Sequence, residues 1–251
     1  MADQKLTALT ALTTPDVADE LYIVDDPAGT PTSKKITIAN LFAGIQTGWN
    51  PDVDTWVYVS ATTFRIEGKD VRSKFPKGTK LKLTQTTDKY FYVVGSAFST
   101  DTTITVMAGS TYTLADEAIT SPYYSYASTP QGFPQWFDWT PIYTGVSSQG
   151  TTIVAKFLVN GQAVHFLLDT GNQPSNDTGF TATLPITSAT TPSKTGGCST
   201  YQTDNSVALT VPVKWEVPAS STTVVFYTNF VVNTWTASNT KRVFCSGFYQ
   251  I

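Results

Sequence analysis

Residues 151–169, TTIVAKFLVNGQAVHFLLD, alternate apolar and polar side chains on either side of Asn160-Gly161. A period of two puts one set of side chains on a single face of an extended strand, which no helix does. The spacing predicts a β-hairpin: Ile153, Ala155 and Phe157 on one arm and Val164, Phe166 and Leu168 on the other, with Asn160-Gly161 as a type I′ turn. Such a hairpin buries one face only when further strands and a second layer cover it.

Those strands are present. Within 48–119, VYVSATTFRIEG, KGTKLKLTQTT, DKYFYVVGSAF and TTITVMAG read as strand runs separated by Gly, Pro and Asp turns. This unit is expected to form a small antiparallel barrel or sandwich. Residues 142–251 add TGFTATLPI, SVALTVPVKWEV, TTVVFYTNFVV and KRVFCSGFYQI, which suits a jelly-roll-like sandwich. The expected fold class is therefore mostly β. Charged residues make up only 14% of the chain, yet aromatics reach 13%, so a packed core rather than disorder is expected.

Between the two β units, residues 120–141 (TSPYYSYASTPQGFPQWFDWTP) hold four prolines, three tyrosines and two tryptophans. That proline density argues against a helix or a central strand. The stretch reads as an extended linker packed along a surface of this or another subunit. Residues 1–47 are different again. Leu6, Leu9 and Leu12 precede a short apolar run, Leu21 to Val24. Ile36 and Ile38 then alternate as in a strand, and Asn40 to Ile45 allow one or two helical turns. So short a segment cannot bury a core alone and needs a partner surface.

The net charge is −3 and no Lys/Arg cluster occurs, so nucleic-acid binding is not expected. No apolar run has the ~20 residues of a membrane helix, and MADQKLTALT lacks a secretory h-region. Cys198 and Cys245 are too few for a disulfide scaffold; they read as two thiols, with pairing after release into an oxidising medium left open. His165 is the only histidine, which removes most His-based metal sites, and no cofactor is expected.

The sequence offers several chemical candidates. FLLDTG (166–171) spells the start of an aspartic-protease loop, but no second Asp-Thr/Ser-Gly exists and Asn172-Gln173-Pro174 follows. An ordinary strand-end turn is the expected reading. His165 and Asp169 share a strand face about 13 Å apart, too far for direct contact. Asn50, Asp52 and Asp54 carry calcium-type oxygens without the rest of an EF-hand loop. A glycan depolymerase of the repeated β-helix kind needs internal repeats, and this chain has none. Tyr123, Tyr124, Tyr126, Trp136 and Trp139 serve either sugar stacking or packing. The Asn176-Asp177-Thr178 sequon matters only in a secretory host.

Three groups of segments carry a family resemblance. KLTALTALT (5–13), ADELYIVDD (18–26) and SKKITIANL (33–41) resemble the N-terminal module of tailed-bacteriophage virion appendages. YFYVVGS (90–96) resembles a small β-barrel unit of phage fibres. TIVAKF (152–157), GQAVHFLL (161–168) and GFTATLPIT (179–187) are similar to a fibre knob. The resemblance implies a head-fibre, tail-fibre or capsid-decoration protein, assembled in the bacterial cytoplasm, exposed on the virion surface and non-enzymatic. It implies a homotrimer held on capsid or tail proteins by 1–47, with Leu6, Leu9, Leu12, Leu21, Ile23, Val24, Ile36, Ile38 and Leu41 as anchoring residues. The knob loops 172–179, 188–205 and 217–222 are then the expected host-attachment surface, with Asn172, Gln173, Asn176, Tyr201 and Asn205 as candidate contacts to a host-surface glycan. Adhesion by a trimeric fibre is the leading reading, stabilisation of the head by decoration the alternative, and a glycan depolymerase or aspartic protease the remote one.

Overall fold

The computed structural model describes residues 16–25, 32–190, 194–198, 202–231 and 234–251. Leu6, Leu9, Leu12 and Tyr201 lie outside the described residues. The chain is almost entirely antiparallel β, as its alternation predicts.

Near the N-terminus, β1 (Glu20–Asp25) and β2 (Thr32–Thr37) pair as a two-stranded ribbon. Helix α1 (Ile38–Thr47) follows directly. Ile38 therefore opens the helix instead of continuing the strand. The reason is a cap: Thr37 Oγ1 accepts a hydrogen bond from the Asn40 amide at 3.2 Å, satisfying one of the free amides of the first turn.

The middle unit is one seven-stranded sheet. Its strands are β3 (Asn50–Pro51), β4 (Val57–Ser60), β5 (Thr63–Ile66), β6 (Lys80–Gln85), β7 (Thr87–Phe98), β8 (Thr102–Met107) and β9 (Thr120–Ser125). They lie in the order β3-β9-β6-β7-β8-β5-β4. The sheet curls into a half-barrel around buried Phe75. That ring meets Phe64 of β5 at 6.4 Å and Tyr124 of β9 at 6.0 Å, although three strands separate β5 from β9. Trp56 stacks on Phe64 at 4.3 Å inside the curl.

Strand β9 corrects the reading of 120–141 as a linker without a central strand. It sits between β3 and β6, and the proline is accommodated because the register with β6 shifts between Lys82 and Thr84, so Pro122 owes the ladder no amide. The Pro122 carbonyl still accepts from the Asp52 amide at 2.8 Å.

The C-terminal unit is a two-layer sandwich. It comprises β10 (Phe137–Asp138), β11 (Tyr143–Thr144), β12 (Val154–Asn160), β13 (Ala163–Asp169), β14 (Gln173–Pro174), β15 (Thr181–Thr183), β16 (Lys194–Cys198), β17 (Thr203–Asp204), β18 (Val207–Ala208), β19 (Val213–Val217), β20 (Thr223–Tyr227), β21 (Thr240–Lys241) and β22 (Phe244–Gln250). One sheet is β10-β12-β13-β22, the other β11-β15-β20-β19-β16. Phe166 of β13 meets Trp215 of β19 edge-to-face at 5.3 Å across the layers.

The β12–β13 hairpin forms as expected, with two differences. Asn160 pairs with Ala163, so the turn residues are Gly161 and Gln162. Of these, only Gly161 has positive φ, +58°, which is the type II′ pattern instead of I′. The inward side chains of β12 are Ala155, Phe157 and Val159, while Ile153 precedes the strand and is 57% exposed.

The two units share one apolar core. Tyr92 of β7 contacts Phe137 of β10 at 5.3 Å, and Phe137 contacts Phe157 of β12 at 5.8 Å. The aromatic part of 120–141 is thus a bridge packed within its own chain. Among the described residues, no helix is long and apolar enough to cross a membrane.

Candidate functional site

The carboxylates of the catalytic and metal-binding motifs raised by the sequence hold structural bonds. Asp169 ends β13, and its carboxylate takes a bidentate pair from Arg242: Nε to Oδ1 at 2.9 Å and Nη2 to Oδ2 at 2.7 Å. The Gly171 amide also donates to Oδ1 at 3.0 Å. Thr170 is fully buried, its Oγ1 accepting from the Val243 amide at 3.0 Å. DTG is therefore a latch between β13 and the segment leading into β22. His165 lies on the outer face of β13 against Phe248, with ring centroids 5.7 Å apart.

The calcium-type oxygens are likewise engaged. Asp52 accepts from Trp56 Nε1 at 2.9 Å and from Lys74 Nζ. Asp54 accepts from Lys69 Nζ at 2.5 Å and Lys74 Nζ at 3.0 Å. The Lys69 hydrogen bond is the main cause holding the Asp54 carboxyl below its ordinary range. Two ammonium groups stand where a cation would need to bind, and no metal-ligand cluster occurs among the described residues.

One recess lies where the two β units meet. A cleft of about 510 Å³ is floored by Lys80 and Tyr92, walled by Leu158, Val159 and Asn160, and flanked by residues 128–136. Its volume falls in the range of small-ligand sites. Lys80 and Tyr92 are paired across β6 and β7. Lys80 is only 6% exposed. Its Nζ donates to the Ala127 carbonyl at 3.1 Å and lies 5.8 Å from the ring centres of both Tyr92 and Phe133. Burial pushes its pKa below the usual lysine value. Burial also raises the Tyr92 phenol to about 12, against an opposing hydrogen bond with the Val159 backbone.

A second cleft of about 370 Å³ lies on the other side of Gln131 and Gly132, lined by Thr47, Trp49, Lys82, Tyr90 and Tyr123. Trp49 Nε1 donates to the Gln131 carbonyl at 2.8 Å. Lys82 differs from Lys80 in having a counter-ion, Asp88, at 3.1 Å, whose hydrogen bond raises the Lys82 pKa.

Of the aromatic residues singled out in the sequence, Trp136 lines the first cleft and Tyr123 the second. Tyr124 packs on Phe75, and exposed Tyr126 donates its hydroxyl to the Lys74 carbonyl at 2.8 Å. Trp139 is buried, its Nε1 donating to the Thr183 carbonyl at 3.2 Å.

The candidate loop contacts among the described residues do not line either cleft. Asn172 and Asn176 are exposed. Asn205 is exposed and accepts from Ser238 Oγ at 3.0 Å and Asn239 Nδ2 at 2.6 Å. Gln173 is a correction: it is fully buried, accepting from the Gly150 amide at 2.8 Å and donating to the Thr170 carbonyl. A side chain so enclosed presents nothing to a ligand.

Of the anchoring residues, Leu21 and Leu41 are each 43% exposed, and Ile36 and Ile38 are half-buried. Ile23 and Val24 lie on β1. Lys80 and Tyr92 were not legible as site residues. In KLKL, Lys80 reads as the solvent-facing partner of Leu81, and only the 128–136 segment folding over it reverses that.

No family model, curated protein or solved structure matches this chain.

Proposed function

We propose that this chain is a structural, adhesive protein of a tailed-phage virion. Residues 1–47 attach it to the particle, and its two β units project as a homotrimer toward the host surface. The observation that carries this reading is the outer face of the β10-β12-β13-β22 sheet. Its outward positions form cross-strand rows: Leu158, His165 and Phe248, then Lys156, Leu167 and Ser246, then Val154, Asp169 and Phe244. Phe248 is 52% exposed. An antiparallel sheet facing water normally carries polar residues on that side. Leu158, Leu167, Val154, Phe244 and Phe248 make an apolar patch there, bordered by the Lys156–Asp138 ion pair, and such a patch suits the core and polar rim of a subunit interface.

Two further features support the reading. The N-terminal ribbon and helix leave Leu21, Tyr22 and Leu41 exposed, as a segment awaiting a partner surface would. Asp169, Asp52 and Asp54, the sequence's candidates for chemistry, hold structural ion pairs.

Light scattering on the full-length protein tests the assembly. A mass of three times 27.2 kDa is expected. A monomer at micromolar concentration overturns the trimeric reading. Antibody labelling of intact virions then tests attachment to the particle.

A further inference from the structure

We propose that the cleft between the two β units binds a sugar carrying a carboxylate, of the hexuronic-acid type found in bacterial surface polysaccharides. The proposal rests on the adhesive reading for the ligand's source, but its chemistry comes from the cleft alone.

The charge pattern selects an anion. Among the described residues Lys80 makes one hydrogen bond, to Ala127, and no ion pair, leaving two of its three N–H groups without an acceptor there. Among the described residues no acidic side chain lines the cleft. An ammonium buried without a counter-ion is costly, and a bound carboxylate removes that cost. Burial already depresses the Lys80 pKa, the response expected of a cation lacking its partner. Lys82, a few ångströms along the same strand face, has Asp88 and needs no such ligand.

The lining selects a sugar. Trp136, 40% exposed, offers its ring at the rim, while Tyr92 and Phe133 pack on each other behind it with ring centres 5.0 Å apart and flank the ammonium. Aromatic faces stack against the C–H faces of a pyranose ring. Gln131 and Asn160 bring side-chain amides to the same opening, able to meet hydroxyls as donors or acceptors. A phosphate dianion carries about two negative charges, whereas the cleft lining holds one lysine.

The test is calorimetric titration of the full-length protein with sodium D-glucuronate, beside D-glucose and N-acetyl-L-alanine. Saturable binding of glucuronate is expected, at least tenfold tighter than either comparator. Lys80→Met keeps the stem volume and should weaken glucuronate at least tenfold. Trp136→Ala, at an exposed position, should weaken it severalfold with near-UV circular dichroism unchanged. No saturable glucuronate binding overturns the proposal, as does equal binding of glucose, or affinity unchanged in both variants. Preference for N-acetyl-L-alanine assigns the cleft to a peptide carboxylate and overturns the sugar. A trimer that fails to bind glucuronate overturns this inference alone, whereas a monomer that binds it overturns only the trimeric reading.

Discussion

Gly78 and Gly161, one from each β unit, meet backbone to backbone: a Cβ on Gly78 would lie 1.8 Å from the Gly161 carbonyl oxygen. Gly78 also has φ of +86°, a conformation that L side chains rarely adopt. The hairpin tip is thereby seated against the middle unit, beside the cleft floored by Lys80.

Substitution at the two glycines should separate these effects. A Cβ on Gly161 meets nothing within 4 Å, so Gly161→Ala should cost only backbone strain, about 1–2 kcal/mol. Gly78→Ala adds a backbone overlap worth about 1–3 kcal/mol more. Urea unfolding of both variants measures the difference. Equal losses would show that the close approach does not constrain the units.

The Asp169–Arg242 pair makes a second prediction. Asp169 is 6% exposed, so Asp169→Asn removes the carboxylate that takes the bidentate pair from Arg242 and should cost about 1–3 kcal/mol. Replacing both residues by leucine should recover part of that loss. The parent protein should also leave a casein substrate intact at pH 4 to 7. Cleavage abolished by Asp169→Asn would restore the protease reading.

Stability should rise with pH above neutrality. Burial lowers the Lys241 ammonium from 10.5 to about 8, against opposing attraction from Asp177 and Asp204. Its Nζ donates to the Asp177 and Gly179 carbonyls at 3.0 and 2.7 Å. Between pH 8 and 10.5 the unfolded chain binds more protons than the folded one, so unfolding free energy climbs with pH. Lys80 acts in the same direction. Tyr92 and Tyr143, raised by burial to about 12, act oppositely: the stability they contribute is present below pH 10 and lost as pH rises toward 12. Maximum stability near pH 10 is expected. Lys241→Met should flatten much of the climb, and an unchanged slope in that variant would refute the assignment.

The outer sheet face predicts how the proposed trimer breaks. Phe248 is half exposed in a single chain and stacks beside His165. Phe248→Asp would place a charge in the proposed interface and should convert the trimer to monomers in light scattering, with far-UV circular dichroism retained. A trimer that survives both Phe248→Asp and Leu167→Asp would exclude this face as the interface.

The sequence by itself determined the mostly β class, the β12–β13 hairpin and the inward set Ala155, Phe157, Val164, Phe166 and Leu168. It also marked Asp169-Thr170-Gly171 as a turn. All of these follow from a period of two and from local turn chemistry, which neighbouring residues encode directly. Tertiary structure decided the rest. Pro122 lies in a central strand because a register shift excuses its missing amide. Gln173 disappears from the surface because Gly150 and Thr170 close over it. Lys80 alternates with Leu81 as a solvent-facing residue should, and becomes buried when residues 128–136, distant in sequence, fold across its strand. Alternation determines which face of a strand a side chain occupies; what covers that face depends on contacts between distant segments.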